Sequence, residues 1–465
     1  MRIKRIICVL TAALFGALTL AACAHKTPTD STSGGKGKTP PDRGAAAYAV
    51  PKYDESLRMT IASSGLDVRV TPEAFAEAAD LGFNLLYDNR SDFNKNAKAG
   101  WEMLNMAHAE GIKVVVKDTA LVNSEFEGTH LSGPSSTKNI IWYQGHPAFA
   151  GVVVVDEPNV STYPYLIEKY QIVRKLFPDK IAHVNTCLKS VPFIDHLEHF
   201  VTTIGIDDKL SYDFYAMFKD GTIDDNMFLY MEDAKRTAVK HNLPLASWIL
   251  AIEHEKPKNS WGPAKKYAEV SEESLRWQIA LNQTFGHDEV IYYCYNTPGD
   301  DTNYGWTYKD GMFKKEDGTK NEPIYNMAKT VNAEVHKWGY VYKSFEWQGI
   351  SRVYGTAAPE WSLPIRLLKT AVQPSEIDGV KSIVSDNDLL IGYFKDGKGN
   401  NGLLITNASR PALKASAKFT VEFQGYDGVQ VFEKGEPRII PLTNGKAEIE
   451  LEPAEGKFLI PLRLR

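Results

Sequence analysis

The chain has 465 residues, a formal net charge of −5 and a hydrophobic content of 43%. This hydrophobic content is sufficient for packed cores and excludes a largely disordered chain, and the acidic balance gives no indication of a nucleic-acid partner. Roughly 410 residues follow the N-terminal leader and tether, more than one compact core usually holds, so we expect two domains.

The first residues predict export from the cytoplasm. A basic start is followed by an apolar stretch at 6–20 that is too short to be a stable membrane span. The stretch closes with Ala21-Ala22-Cys23, which resembles the bacterial lipobox. The resemblance implies that 1–22 is a lipoprotein signal peptide and that a lipid on Cys23 anchors the protein to a bacterial membrane in the cell envelope. The alternative is an ordinary secretory signal with an incidental cysteine.

Residues 23–52 are rich in Lys, Thr, Ser, Gly and Pro and contain almost nothing apolar, which predicts a flexible tether. Two cysteines remain beyond it, Cys187 and Cys294, and both fall in predicted strands. We expect them to be buried free thiols rather than a disulfide. No Cys-x-x-Cys spacing occurs, so we expect no metal site of that kind.

Strand and helix patterns alternate through residues 53–347. The predicted strands are 57–61, 83–87, 112–117, 151–155, 182–187, 210–215, 245–251 and 289–295. The predicted helices are 72–81, 97–110, 140–144, 161–177, 191–200, 224–241, 271–285 and 323–338. Eight such units in order predict an α/β fold, a (β/α)8 TIM barrel. An open doubly wound sheet is the alternative, and the chain lacks the Gly-rich phosphate turn that often accompanies one.

Residues 348–465 change to short alternating segments separated by turn sequences such as Asp396-Gly397 and Asn444-Gly445. This pattern predicts a C-terminal all-β sandwich. We expect it to be an accessory domain, because no carboxylate cluster stands out in it.

The fourth predicted strand, with four consecutive valines, ends in Asp156-Glu157-Pro158. Parallel barrels build their active sites at the C-terminal ends of their strands, so Glu157 is the first candidate for a catalytic residue. The alternative is that Asp156 and Glu157 only cap the following helix, and Pro158 suits both interpretations.

Other polar and aromatic side chains are expected around the same end of the barrel. Acidic residues there could bind sugar hydroxyls and flat rings could stack on sugar faces, although ion pairing or core packing would explain each of them as well. The candidate substrate contacts are Asp156, Arg90, Asp118, Asn185, Asp213, Tyr215, Trp248, Tyr295, Asn296 and Trp306. We expect His183 and His254 to be structural, because neither has metal-site partners.

Glycoside hydrolysis needs two carboxyl groups across one glycosidic bond, and Glu157 and Glu253 follow strands four and seven. The barrel resembles retaining glycoside hydrolases of clan A, and bacterial beta-galactosidase-like barrels related to family 42 in particular. The motifs that carry the resemblance are Asp156-Glu157-Pro158, Arg276-Trp277-Gln278, the strand at 291–295, Tyr325 and Val331-Asn332. The resemblance implies that Glu157 is the acid/base and Glu253 the nucleophile, with Glu255 and Asp213 as alternatives.

One residue departs from the clan pattern, since Asp156 stands where the clan usually has Asn. Two adjacent acids repel each other, and we expect this to raise the pKa of one of them, which would help Glu157 remain protonated as an acid.

The resemblance implies a glycoside hydrolase that cleaves an extracellular oligo- or polysaccharide by double displacement, without a cofactor. The alternative is a non-catalytic, carbohydrate-binding surface lipoprotein on a degenerate barrel. A barrel esterase or lyase is a third hypothesis, and no Gly-x-Ser-x-Gly elbow or metal constellation supports it.

Overall fold

The computed structural model describes residues 48, 52, 55–64, 70–88, 92–123, 125–127, 130–132, 142–187, 196–258, 263–301, 305–357 and 364–463. The predicted signal peptide at 1–22, the lipidation site Cys23 and the candidate substrate contact Arg90 lie outside these residues, as does most of the predicted tether.

Eight parallel strands form the N-terminal domain. They are β1 (Thr60–Ser64), β2 (Leu85–Tyr87), β3 (Lys113–Val116), β4 (Phe149–Asp156), β5 (Ile181–Cys187), β6 (Leu210–Asp213), β7 (Leu245–Leu250) and β8 (Glu289–Tyr293). They close into a barrel in which β8 pairs with β1. The predicted (β/α)8 barrel is therefore confirmed, and all eight C-terminal strand ends open on one face, which we call the mouth.

Helices follow the strands on the outside of the barrel. They are α1 (Pro72–Asp80), α2 (Ala97–Ala109), α3 (Thr119–Val122), α4 (Tyr163–Leu176), α5 (His196–Ile204), α6 (Met227–His241), α7 (Glu272–Thr284) and α8 (Glu322–Tyr342). Side-chain caps explain where several of them begin. Thr71 caps α1, and Ser271 and Ser274 form a reciprocal capping box on α7.

The first strand lies three residues later than predicted, at Thr60–Ser64 instead of 57–61. The apolar start of the predicted segment belongs to a short 3-10 helix, Glu55–Leu57. The strand itself contains mostly small residues, which a search for apolar alternation does not detect.

A β-sandwich follows the barrel, as predicted. Its strands are β9 (Phe345–Val353), β10 (Val380–Ser385), β11 (Leu389–Asp396), β12 (Asn401–Asn407), β13 (Ala417–Phe423), β14 (Gly428–Glu433), β15 (Glu436–Pro441), β16 (Lys446–Leu451) and β17 (Gly456–Leu462). One sheet has the order β9-β11-β12-β17-β14-β15, and the other has the order β10-β13-β16. A core that includes Ile391, Val421 and Leu459 lies between them.

The sandwich packs against the barrel through polar contacts as well as apolar ones. Glu232 of α6 is buried and accepts hydrogen bonds from the backbone N–H groups of Lys369 and Thr370, at 2.8 and 2.6 Å. The hydroxyl groups of Thr284 and Thr406 are 2.7 Å apart across the same boundary. The two domains therefore form one compact body.

Among the described residues of the N-terminal connection, Tyr48 contacts the sandwich. Tyr48, within the predicted tether, donates its hydroxyl to Asp396 at 2.9 Å and its backbone N–H to the side chain of Gln430 at 2.9 Å. Among the helices that the structure describes, none combines the length and the apolar character needed to cross a bilayer.

Candidate active site

The chain turns sharply where β4 reaches the mouth. Glu157 has a φ of +44°, in the left-handed region that costs a non-glycine residue about 1–2 kcal/mol. Its backbone N–H donates to the carbonyl of Asn185 at 2.9 Å, which ties the turn to β5. A short 3-10 helix, Val160–Thr162, follows the turn. Its cap is Asn159, whose side chain accepts the N–H of Ser161 at 3.1 Å. Capping by Asn159 removes the reason to assign Asp156 and Glu157 as helix caps.

Three neighbouring strands bring reactive groups together beside this turn. Ligand atoms of Glu157, Cys187 and Asp213 all lie within 4.8 Å of one another. Glu157 is exposed and Asp213 is only 2% exposed, so one carboxyl group faces solvent and the other lies in the wall. Two carboxylates and a thiol at this spacing could also hold a divalent cation such as zinc.

Asn185 links two of the acids. Its side-chain NH2 group donates to Asp156 Oδ1 at 3.1 Å and to Asp213 Oδ1 at 3.0 Å. Because Asn185 is 2% exposed and bonds protein carboxylates, its place is in the support of the site rather than at the surface that a substrate would contact.

The predicted effect of adjacent acids is seen on Asp156. The pKa of Asp156 is raised to about 6 by desolvation inside the mouth and by the negative charge of Glu157. The hydrogen bond from Asn185 offsets part of this rise. Asp156 remains accessible to solvent although it lies inside the mouth. The raised pKa thus belongs to Asp156, whereas the sequence argument expected the benefit at Glu157.

An aromatic wall lines the mouth next to these acids. We define it as Tyr215, His254, Tyr267, Tyr293, Trp306 and Tyr308. Tyr215 stacks on Tyr293 with ring centres 5.5 Å apart, and His254 lies between Tyr267 and Trp306 at 4.3 and 5.6 Å.

The wall is held by the loops after β7 and β8. Strands His254–Lys256, Lys265–Lys266 and Thr307–Tyr308 form a small antiparallel sheet there. Burial and the charges of Asp213, Tyr293 and Glu157 raise the pKa of Tyr215 well above its ordinary value.

Glu253, the predicted nucleophile, forms an ion pair with Lys219 at 2.5 Å. Glu255, its alternative, pairs with Lys266 at 3.4 Å in the small sheet. The carboxyl group that the structure brings beside Glu157 is that of Asp213, which the sequence argument ranked behind both.

Asp118 has a structural position, which corrects its prediction as a substrate contact. It is fully buried, caps α3 through the N–H groups of Ala120 and Leu121 at 3.1 Å, and accepts the hydroxyl of Tyr143 at 2.9 Å. A side chain enclosed in this way is inaccessible to a sugar.

Three further predicted contacts are also buried, namely Trp248, Tyr295 and Asn296, at 6%, 0% and 4% exposure. The predicted strand eight ran two residues too far, so Tyr295 lies beyond β8 and donates its hydroxyl to the carbonyl of Ala74 at 2.7 Å. The ring of Trp248 lies 5.9 Å from Tyr87 on β2, so it fills the barrel interior. The hydrogen bond of Tyr295 and the packing of Trp248 place both side chains in the interior, which corrects the expectation that they contact substrate. The role of Asn296 stays a prediction.

Four further residues near the site were not predicted as site residues from the sequence, namely Cys187, Ser211, Tyr293 and Tyr308. Tyr293 shares the inward face of β8 with Ile291, so a strand end placed correctly would have identified it. Cys187 and Cys294 are both free thiols, as expected, although Cys187 is only partly buried.

No family model matches this chain, and no curated protein matches its sequence. Its fold is similar to that of beta-galactosidase from Bacillus circulans sp. alkalophilus, with a TM-score of 0.50, 9% identity, and coverage of 87% of this chain and 99% of that one. An Anoxybacillus alpha-amylase gives a TM-score of 0.49 at 8% identity, with coverage of 88% and 99%. The GH27 β-L-arabinopyranosidase from Geobacillus stearothermophilus, in complex with arabinose, gives 0.47 at 12% identity, with coverage of 88% and 97%. At such identities the likeness concerns the fold alone, and this chain has the (β/α)8 barrel that glycoside hydrolases of clan A share, as the resemblance predicted.

Proposed function

We propose that this protein is a retaining glycoside hydrolase in which Glu157 and Asp213 are the two catalytic carboxyl groups. The observation that carries the proposal is that one carboxylate oxygen of each residue lies within 4.8 Å of one oxygen of the other at the barrel mouth. Retaining enzymes place the two carboxyl groups about 5–5.5 Å apart, whereas inverting enzymes need about 6.5–9.5 Å to admit a water molecule. The short separation therefore favours direct attack by one carboxylate.

Position in the fold suggests the two roles. Asp213 is the last residue of β6 and accepts a hydrogen bond from Asn185, which holds its carboxyl group in place. This suits a nucleophile. Glu157 is exposed and can exchange its proton with a leaving group and with water. This suits an acid/base.

The reaction then has two steps. A carboxylate oxygen of Asp213 attacks the anomeric carbon while Glu157 donates its proton to the departing glycosidic oxygen. Glu157 next takes a proton from water, the water oxygen attacks the anomeric carbon, and the carboxylate of Asp213 is released.

Sugar binding falls to the surfaces beside the acids. Asp156 is accessible within the mouth and could accept a bond from a sugar hydroxyl, as the sequence argument expected. The partly exposed ring of Trp306 lies nearly parallel to those of His254 and Tyr308, at 16° and 17°. The accessible part of the Trp306 ring could stack on a sugar ring, which supports an oligo- or polysaccharide substrate.

The assignment of the two carboxyl groups can be tested with azide. Mature wild-type protein is assayed on a panel of aryl glycosides, and the configuration of the first product is read by NMR. Glu157→Ala should lose about 10²–10⁴-fold in kcat on substrates with poor leaving groups, and azide should restore turnover with a glycosyl azide of retained configuration. Asp213→Ala with azide should give the opposite anomer, because azide then replaces the nucleophile.

Glu253→Gln is the matched control and should keep most of the activity. An inverted azide product from a Glu253→Ala variant would return the nucleophile to strand seven and overturn the assignment of Asp213. Sugar binding by calorimetry, without hydrolysis of any glycoside, would instead support the non-catalytic carbohydrate-binding lipoprotein.

We also propose that the protein acts in the bacterial cell envelope, anchored by a lipid on Cys23. Support comes from the lipobox-like residues before Cys23, which suit lipid anchoring in the bacterial cell envelope. Wild-type protein expressed in a bacterial host should partition into detergent, and Cys23→Ser should partition into water. Equal partitioning of the two would remove the anchor.

A further inference from the structure

We propose that Trp248, Ser211 and Asn185 form a directional hydrogen-bond relay that positions the nucleophilic carboxylate. The proposal rests on the function proposed above, in which Asp213 attacks the sugar. All three residues lie on inward-facing positions of neighbouring strands β7, β6 and β5, and none is more than 6% exposed. The relay ends on Asp156 and Asp213.

The direction of the relay follows from the chemistry of its first member. An indole nitrogen can only donate a hydrogen bond, so the Nε1–H of Trp248 must use the Ser211 hydroxyl oxygen as acceptor, at 3.3 Å. The Ser211 hydroxyl proton is then directed to its other neighbour, Asn185 Oδ1, at 3.0 Å. The amide oxygen of Asn185 therefore faces Ser211.

The orientation of the Asn185 amide determines which of its atoms face Asp156 and Asp213. With its oxygen turned toward Ser211, Asn185 presents both hydrogens of its NH2 group to the mouth, one toward Asp156 and one toward Asp213. The reverse orientation would place the amide oxygen against two carboxylates and lose both of these bonds. Because bonds to ionised groups are about twice as strong as neutral ones, the relay and the acids favour the same orientation.

The consequence for catalysis is geometric. Asp213 is the last residue of β6, and the bond from Asn185 to its Oδ1 restricts rotation of the carboxyl group. A nucleophile misplaced by about 1 Å can lose about 10²-fold in rate, so a bond that holds its orientation has a kinetic effect without any contact to the sugar. We therefore class Asn185, Ser211 and Trp248 as positioning residues.

The hydrogen bonds are tested first, by a measurement that needs no activity. The chain has nine tryptophans, so full-length protein labelled with ¹⁵N in its indole groups gives few signals, and Trp248→Phe identifies the one that belongs to Trp248. Ser211→Ala should move this signal toward the position of an unbonded indole, and Ser211→Thr, which keeps the hydroxyl, should restore it. An unmoved Trp248 signal in Ser211→Ala overturns the relay.

The positioning role is tested by kinetics on the glycoside that wild type hydrolyses best. Asn185→Ala, Ser211→Ala and Trp248→Phe should each lower kcat about 10–100-fold, as losses of supporting bonds around a site usually do, with KM near that of wild type. Ser211→Thr should recover most of kcat.

A matched control is Trp277→Phe. Trp277 is fully buried, and its indole nitrogen has no hydrogen-bond partner among the residues that the structure describes. This variant loses the same ring volume, so it should lower the melting temperature and leave kcat unchanged.

The possible failures are distinguishable. Wild-type kcat in Ser211→Ala, with Asp213→Ala inactive, overturns the positioning role and leaves the proposed function standing. If wild type hydrolyses no glycoside, the proposed function fails, the catalytic role of the relay fails with it, and the indole signal still decides whether the hydrogen bonds exist.

Discussion

Replacement of Asp156 by Asn should stabilise the protein at neutral pH. Two effects raise the pKa of this carboxyl from 3.8 to about 6, namely its burial in the mouth and the charge of Glu157. An acid whose pKa is higher in the folded state binds protons more tightly when folded, so its ionisation reduces stability as pH rises from 3.8 through 6. Above pH 6 Asp156 is ionised in the folded state as well, and the full loss of stability is present.

The magnitude follows from the shift. The rise in the pKa of Asp156 from 3.8 to about 6 corresponds to ~3 kcal/mol, since each pKa unit is worth about 1.36 kcal/mol. Asp156 is accessible to solvent, which screens its interactions, so we expect about 1 kcal/mol of this to be measured. Asn keeps the shape of the side chain and can also accept the bond from Asn185.

The assay is urea unfolding of wild type and Asp156→Asn at pH 7.5 and pH 4.5. The variant should be more stable by about 1 kcal/mol at pH 7.5, and most of this difference should disappear at pH 4.5, where Asp156 is largely protonated when folded. A gain of equal size at both pH values, or a loss at pH 7.5, would refute the electrostatic reasoning. Stabilisation on removal of an active-site charge would fit the usual conflict between stability and function.

Three further outcomes are expected. Burial lowers the pKa of His287 to about 3, so the free energy of unfolding should fall as pH drops from 6.5 toward 3. In urea unfolding, His287→Gln should lose about 2 kcal/mol less stability than wild type between pH 7 and pH 5. Equal losses in the two proteins would contradict this. Gly151→Ala would place a methyl carbon 2.1 Å from the carbonyl oxygen of Ile181, so it should destabilise the protein by about 1–3 kcal/mol or more in urea unfolding. The control is Gly145→Ala, whose added methyl group meets nothing within 4 Å, and it should be nearly neutral in the same assay. If the proposed hydrolysis is observed, treatment with EDTA should leave it unchanged, because the proposed two-carboxylate mechanism needs no metal. Loss of activity that zinc restores would instead point to a cation held by the two carboxylates and Cys187.

Much of the fold could be predicted because the signals for it are local. The valine run of β4 and the amphipathic pattern of α8 each identify an element without knowledge of the rest of the chain. Eight such units in order leave few topologies, and parallel strands of a barrel place their C-terminal ends on one face. The same rule placed Glu157 at the mouth.

The partner of Glu157 could not be predicted in this way. Glu253 lies three residues beyond β7, where the chain has left the barrel wall and a lysine from another loop neutralises it. Asp213 is still within β6, so the strand holds its side chain in place. A shift of one residue at a strand end turns a side chain to the opposite face, and sequence patterns do not locate ends to that precision.

By itself, then, the sequence determined the barrel, the sandwich and the position of Glu157, because burial periodicity and strand direction are properties of each segment alone. Only the tertiary structure decided that Asp213 stands beside Glu157, that Asp118 and Tyr295 belong to the interior, and that Asn185 bonds two acids. Those facts depend on distances between strands far apart in the chain, and closure of the barrel sets such distances.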